Sequence, residues 1–399
     1  MVRKRPLAGR VVLALLTVAS IGLSIAGCGS SSSSSVSATS ASADQTSNAG
    51  TTATTQADAD PGIAQAKAIV AQYAKQQPAL SVPTLPNQAP KKTVAWVYCT
   101  LPTCQAGAAQ QAFTALGWNF KLVPWNEAHA PASFLQAFDD ALAMKPKPDF
   151  IGVPQLFPAS VDAKQLAAAK AEGIPVVDVT STTGAGGPVV ACMSCAPSLN
   201  ETARLQVATA LADAGGKTSM VYAYDPVLLV FAQEFLPAAK AEVAKLSPQS
   251  TFATLQLSLA APPSQNASAV INYLRRNPDV KYVLLSASEL AGGLPQALSA
   301  AGLSGKVKFI TQAPQPTDLQ EIKNGQEFAS VGADDAVSMW RAANALAWYA
   351  ISGHIPADLI EPVGWHEIIT QANVAQAAAD SVQPHDYTAI FKKAWSVGG

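Results

Sequence analysis

From Lys91 onward the chain repeats one unit: a short, nearly continuous apolar run followed by an alanine-rich stretch with helical spacing. The apolar runs fall at 93–98, 120–124, 150–153, 175–179, 219–223, 252–257, 282–285, 308–311 and 330–333. Runs with so little polar alternation suit strands that are covered on both faces. The stretches between them, at 105–116, 133–143, 159–172, 199–214, 233–245, 267–275 and 290–300, predict helices. Several end on a glycine (Gly117, Gly173, Gly302), the residue that closes a helix in the left-handed conformation. Alternating strand and helix predicts an α/β fold on parallel sheets with right-handed crossovers.

The two ends break this rhythm. Ile63, Ala66, Ile69, Val70 and Tyr73 recur at helical spacing, and a proline-rich stretch then runs to Pro90. Residues 61–90 are therefore expected to form an amphipathic helix packed on the outside, or the end of a stalk. The chain beyond Ile360 is expected to wrap back over the body. Met339, Trp340, Arg341 and Trp348 share one long helical pattern after Asp335, and core packing is the expectation there.

The N-terminus sets the compartment. Arg3, Lys4 and Arg5 precede an apolar stretch from Val11 to Ile25. This is shorter than the roughly 20 residues that span a bilayer, so 1–27 reads as a signal peptide. It ends in Ile25-Ala26-Gly27-Cys28, which resembles a bacterial lipobox, with Cys28 the lipidated residue. Residues 28–60 are a Ser/Thr/Ala tract with almost nothing apolar to bury, which predicts a disordered tether. The expected location is the outer face of a bacterial cytoplasmic membrane, held there by the lipid anchor. A net charge of −1 with 13% charged residues gives no electrostatic case for nucleic acid.

Catalytic motifs come close and fail. Thr183-Gly184-Ala185-Gly186-Gly187-Pro188-Val189 resembles a dinucleotide loop, but the third glycine position holds Val189 and no helix start follows. Gly216-Lys217-Thr218 resembles the end of a phosphate loop, yet it precedes a strand and its first glycine would fall at Leu211. His129, His354, His366 and His385 are scattered, with no partner at metal-ligand spacing. No catalytic residue, metal or cofactor is expected.

Four cysteines remain: Cys99, Cys104, Cys192 and Cys195. A zinc site prefers C-x₂₋₄-C pairs, and only Cys192 and Cys195 have that spacing. A redox CxxC would open a helix, and here it follows a strand-like run. Two disulfide staples, Cys99–Cys104 and Cys192–Cys195, are the expectation, although sequence alone allows three connectivities.

Residues 107–118, 147–151 and 169–177, then Asn277-Pro278-Asp279-Val280, Ala300-Ala301-Gly302, Ile322–Gln326 and Ile351-Ser352-Gly353, together resemble the ribose/galactose type of periplasmic substrate-binding proteins (type I). The resemblance covers about Lys91 to Pro356. It implies two doubly wound parallel-sheet lobes joined by a three-segment hinge. Lobe one would be 91–195 plus 335–356, and lobe two 196–334 plus 357–399. It implies a monomer that closes on a small-molecule solute and passes it to an ABC permease. Ligands of open α/β sheets bind beyond the carboxyl ends of strands. Those ends supply Tyr98, Thr100, Gln155, Phe157, Thr180, Ser181, Tyr224, Asp225, Ser286, Ser288, Gln312 and Asp334, with Phe231 from the first helix of lobe two. The charged clamps of sugar-binding members are missing. Thr180-Ser181 stands where an Asp-Arg pair is usual, Phe231 or Glu234 where an Arg is usual, and Ala287-Ser288 where Asn-Asp is usual. The expected solute is sugar-like or, better, less polar. A sensor clamshell for a membrane kinase or chemoreceptor is the alternative reading, and a lipid-anchored enzyme a third.

Overall fold

The computed structural model describes residues 60–75, 80–101, 104–153, 156–180, 182–377 and 386–396. Cys28, Gln155, Ser181 and His385 lie outside the described residues, as do the signal and most of the tether.

Two sheets organise the chain. The first contains β1 (Thr93–Cys99), β2 (Asn119–Trp125), β3 (Phe150–Val153), β4 (Val176–Asp178) and β5 (Val189–Cys192), in the order β2-β1-β3-β4-β5. Every pairing in it is parallel. The second contains β6 (Ser219–Tyr224), β7 (Thr251–Gln256), β8 (Tyr282–Leu285), β9 (Lys308–Gln312), β10 (Ala329–Ala333) and β11 (His366–Thr370), in the order β11-β10-β9-β8-β6-β7. Only β11 runs antiparallel, with Ala329 opposite Thr370 and Ala333 opposite His366. The doubly wound order places the helices on both faces, so β3 and β8 are buried throughout.

The helices are α1 (Pro61–Tyr73), α2 (Ala106–Ala115), α3 (Ala132–Ala143), α4 (Ala163–Ala171), α5 (Ala196–Ala214), α6 (Leu236–Leu246), α7 (Pro263–Arg276), α8 (Leu294–Ala300), α9 (Pro316–Lys323), α10 (Asp335–Ser352) and α11 (Tyr387–Ala394). The chain leaves the first lobe between β5 and α5. It returns between β10 and α10, which packs on α2, β4 and β5, and crosses again before β11. Buried Gln206 on α5 donates from Nε2 to the carbonyls of Leu285 (2.8 Å) and Ile310 (3.2 Å), tying that helix to strands β8 and β9.

The two ends divide between the lobes. Helix α1 is no stalk: Ile63 and Ala66 are buried, and the helix packs on α5, α6 and β11 of the second lobe. Asp60 caps it, accepting from the Gly62 amide at 3.0 Å. Residues near Leu85 instead lie against the first lobe, where the Leu85 amide donates to the Ala394 carbonyl at 2.9 Å. The C-terminal wrap divides as well. β11 joins the second sheet, but α11 packs on α10, because Phe391 and Trp395 bury themselves against Trp340.

Gly152, in the middle of β3, answers to Trp96 on β1. A Cβ there would fall 2.1 Å from Cε3 and Cζ3 of the fully buried indole. Gly152→Ala is therefore expected to lower the unfolding free energy by about 1–3 kcal/mol through overpacking, read as a lower urea midpoint at unchanged slope.

Candidate binding cleft

The carboxyl ends of both sheets open on one cavity of about 90 Å³. The first lobe contributes Leu101 and Cys104 after β1, Leu156 after β3, and Val179 and Thr180 after β4. The second lobe contributes Leu228, Val230, Phe231 and Phe235 after β6, with Ala287, Gln312 and Ala313 after β8 and β9. Ser194 and Leu199 come from the first crossing, and Asp335, Ser338 and Met339 from the start of α10.

The apolar wall has a local cause. After β6 the chain turns at Asp225, which is 4% exposed and accepts from the Val227 amide (Oδ1, 2.8 Å) and the Leu259 amide (Oδ2, 2.7 Å). The chain then enters a single π-helical turn, Phe231–Phe235, ahead of α6. Such turns interrupt the regular helical register. Here the rings of Phe231 and Phe235 both reach the cavity and meet edge to face at 5.4 Å.

The polar groups are few. The Thr180 hydroxyl donates to the Val179 carbonyl at 2.7 Å, and Ser194 Oγ to Ser338 Oγ at 3.4 Å. Gln312 Nε2 donates to the Ser286 carbonyl at 2.7 Å. Asp335 is the one ionisable group on the described lining. Burial raises its pKa from the ordinary carboxyl value to about 7, and the charges of Asp334 and Glu289 push in the same direction.

The profile of the periplasmic binding protein domain matches residues 105–354. The chain belongs to the periplasmic binding protein family, type I. Solved structures share the fold at low identity. A 5-methylthioribose transporter solute binding protein from Thermotoga lettingae is 18% identical, with TM-score 0.61 over 77% of this chain and 99% of that one. The Caulobacter myo-inositol binding protein is 18% identical, with TM-score 0.61 over 74% and 98%. A periplasmic ribose ABC transporter from Conexibacter woesei is 18% identical, with TM-score 0.60 over 72% and 95%. No curated protein sequence matches the chain.

Within this periplasmic binding protein, Thr180 and Gln312 line the cavity from strand ends, and Phe231 lines it from the π-helical turn after β6. Other candidates from the sequence lie off this lining. Phe157 is fully buried between Trp125 and Phe134. Tyr98 lies half-buried against the core of the first lobe, and Tyr224 is buried in the core. The Thr100 hydroxyl donates to Glu127 Oε2 at 2.7 Å, and its amide is held by the same carboxylate. Asp225 closes its own turn, Ser286 is buried, and Ser288 Oγ donates to the Ala313 carbonyl at 3.3 Å. Asp334 is 2% exposed and accepts from Arg341 Nη1 at 2.6 Å. The cavity instead takes its neighbour, Asp335. No apolar pattern distinguishes two consecutive aspartates; only the turn of the backbone at the start of α10 does.

The raised pKa of Asp335 has a consequence for stability. The folded state holds its proton to higher pH than the unfolded chain, whose carboxyl titrates near 3.8. That contribution is fully present below the unfolded pKa and is lost as pH rises through about 7. Asp318, raised to about 6 chiefly by burial, acts in the same direction. The unliganded protein is therefore expected to lose melting temperature between about pH 4 and 8, and Asp335→Asn to lose less. Parallel melting curves for the two proteins across that range would remove this assignment.

Proposed function

We propose that this protein is an extracytoplasmic lipoprotein that captures a small solute between its lobes and delivers it to an ABC permease, with no chemistry of its own. Lipidated Cys28 and the 28–60 tether would hold it, as a monomer, at the outer face of the cytoplasmic membrane. One observation carries the capture: a cavity lined from both lobes and from two of the crossing segments, so that a bound solute would bridge groups that separate when the lobes part. The solute has a less polar body than a free sugar, because the walls are mostly aliphatic and aromatic and Asp335 is the one ionisable side chain of the described lining. Thr180, Phe231 and Gln312 are its proposed contacts, along with Phe235 and Asp335. A cavity of about 150 Å³ accommodates benzene, so one of about 90 Å³ must open to load anything larger.

The test is native mass spectrometry of the protein purified without denaturant, followed by a thermal-shift panel of sugars, nucleosides and aromatics. A ligand at 100 times its dissociation constant adds about 2.7 kcal/mol of stability. No co-purified molecule and no shift across the panel would refute the reading.

Cys99 lies beside Cys104 and Cys192 beside Cys195, each pair with Cα atoms 5.9 Å apart, a separation usual for disulfides. As disulfides, the first would fix the loop that presents Leu101 and Cys104 to the cavity, and the second the crossing from β5 to α5. Each closes too short a loop to contribute more than about 2 kcal/mol. Reduction is expected to weaken solute affinity more than it lowers melting temperature, since the main effect is on loop entropy in the site. Unchanged affinity after complete reduction, verified by thiol titration, would contradict this.

A further inference from the structure

The groups that face the cleft are unevenly divided between hydrogen-bond donors and acceptors. Thr180 already donates to a backbone carbonyl, Ser194 to Ser338, and the Gln312 amide nitrogen to Ser286. Those engagements leave the hydroxyl oxygen of Thr180, Oε1 of Gln312 and, once it is ionised, both carboxyl oxygens of Asp335 as acceptors. Among the described lining side chains, the Ser338 hydroxyl and the second Nε2–H of Gln312 retain a proton to give, and none is Lys, Arg or His. Arg341, two turns along α10 from Asp335, is held by Asp334 in a pair whose side chains are 11% and 3% exposed.

A neutral polyol fits this lining poorly. It carries more oxygens than the few side-chain donors on this lining can meet, and each buried acceptor left unsatisfied costs about 1–3 kcal/mol. An anion would fit worse, meeting Asp335 with no cation beside it. A group that only donates and carries positive charge fits well: it satisfies the acceptors and neutralises a half-buried carboxyl that has no cation on the lining beside it.

We propose that the solute is a small primary amine with an apolar body, its ammonium docked on Asp335 and its hydrocarbon part seated against Leu228, Phe231 and Phe235. This rests on the solute-capture reading above and narrows it to one chemical class. Burial and the neighbouring carboxylates Asp334 and Glu289 raise the pKa of Asp335, which is the state that an incoming cation reverses.

Isothermal titration with matched probes tests it: n-butylamine, n-butanol and butyrate, and the larger set phenethylamine, 2-phenylethanol and 3-phenylpropionate, alongside a panel of neutral sugars. In at least one set the amine is expected to bind roughly 10- to 100-fold more tightly than the alcohol, the range of a charge-assisted hydrogen bond, and the acid not at all. Asp335→Asn is expected to collapse the amine-to-alcohol ratio towards one. Asp335→Ser should do the same, which guards against misfolding of the first variant; melting curves report whether each folds. Equal affinity for amine and alcohol, or a ratio that survives both substitutions, overturns the assignment. Binding of neutral sugars without amines overturns the amine class and leaves solute capture standing. Absence of binding by every probe, with no co-purified molecule, overturns both.

Discussion

Trp340→Ala is expected to lower the unfolding free energy by about 3–5 kcal/mol, the cost of removing a large aromatic from a packed core. Trp340 lies on α10 and is 1% exposed. Its indole stacks on Trp395 with centroids 5.3 Å apart and planes 11° from parallel, and it also meets Phe391 at 5.7 Å and the edge of Tyr387 at 6.0 Å. Three of its partners thus belong to the C-terminal segment, and the Trp395 indole is further anchored by its Nε1 donating to Asn344 Oδ1 at 2.8 Å. The cavity left by the substitution opens between α10 and α11, so the damage should be local first. In urea the midpoint should fall sharply. Under native conditions, limited proteolysis should cut near 386–396 before the rest of the chain. Trp340→Phe, which keeps a ring in the stack, should recover more than half of the loss. A loss under 1 kcal/mol for the alanine variant would show that α11 contributes little to the first lobe.

The alternation that predicts the strands succeeds where burial is uniform. β1, β3 and β8 are almost wholly buried and stand out as apolar runs. β11 escapes the same reading because it opens with His366 and Glu367, polar residues that are 4% and 8% exposed. Their burial is made tolerable by tertiary partners: Glu367 Oε1 accepts from Asn373 Nδ2 at 3.1 Å. β5 escapes because its four residues follow a glycine-rich turn that resembles a cofactor loop more than a strand lead-in. In the fold that turn is held by mutual backbone bonds between Gly186 and Val189 (2.8 and 3.0 Å) and by the Ala185 amide donating to Glu361 Oε1 at 2.6 Å.

The site is legible to a lesser degree, for a geometric reason. A strand-end rule says which loops surround a cleft, but not which side chain of each loop turns inward. Phe231 and Gln312 turn in; Phe157 and Tyr224 turn into the core. Asp225 and Thr100 serve their own loops. Aromatic character alone favours both fates equally, since a ring is stabilised by burial whether against protein or solute.

Arg341→Met is expected to cost about 3–5 kcal/mol, because it leaves Asp334 charged and enclosed without a counter-ion. The pair sits where two interlobe crossings touch. Asp334 ends the return from β10 to α10, and its amide donates to the Trp365 carbonyl of the last crossing at 3.2 Å. The Arg341 guanidinium lies over the Trp365 ring, 5.6 Å from its centroid. Gly364 passes so close that a Cβ there would fall 2.8 Å from Asp334 Oδ1. One charge pair and one aromatic contact therefore clasp the second and third crossings together. Most of the single-variant loss should come from the stranded charge, not from the attraction itself. The double variant Asp334→Leu/Arg341→Met should accordingly be more stable than Arg341→Met alone, although one partner more has been removed. Urea titration of the two single variants and the double, analysed as a cycle, gives the coupling. If the double variant is less stable than Arg341→Met, the pair is net stabilising and the clasp holds by attraction; if Arg341→Met costs under 1 kcal/mol, water reaches Asp334 and the crossings move apart more freely than this packing implies.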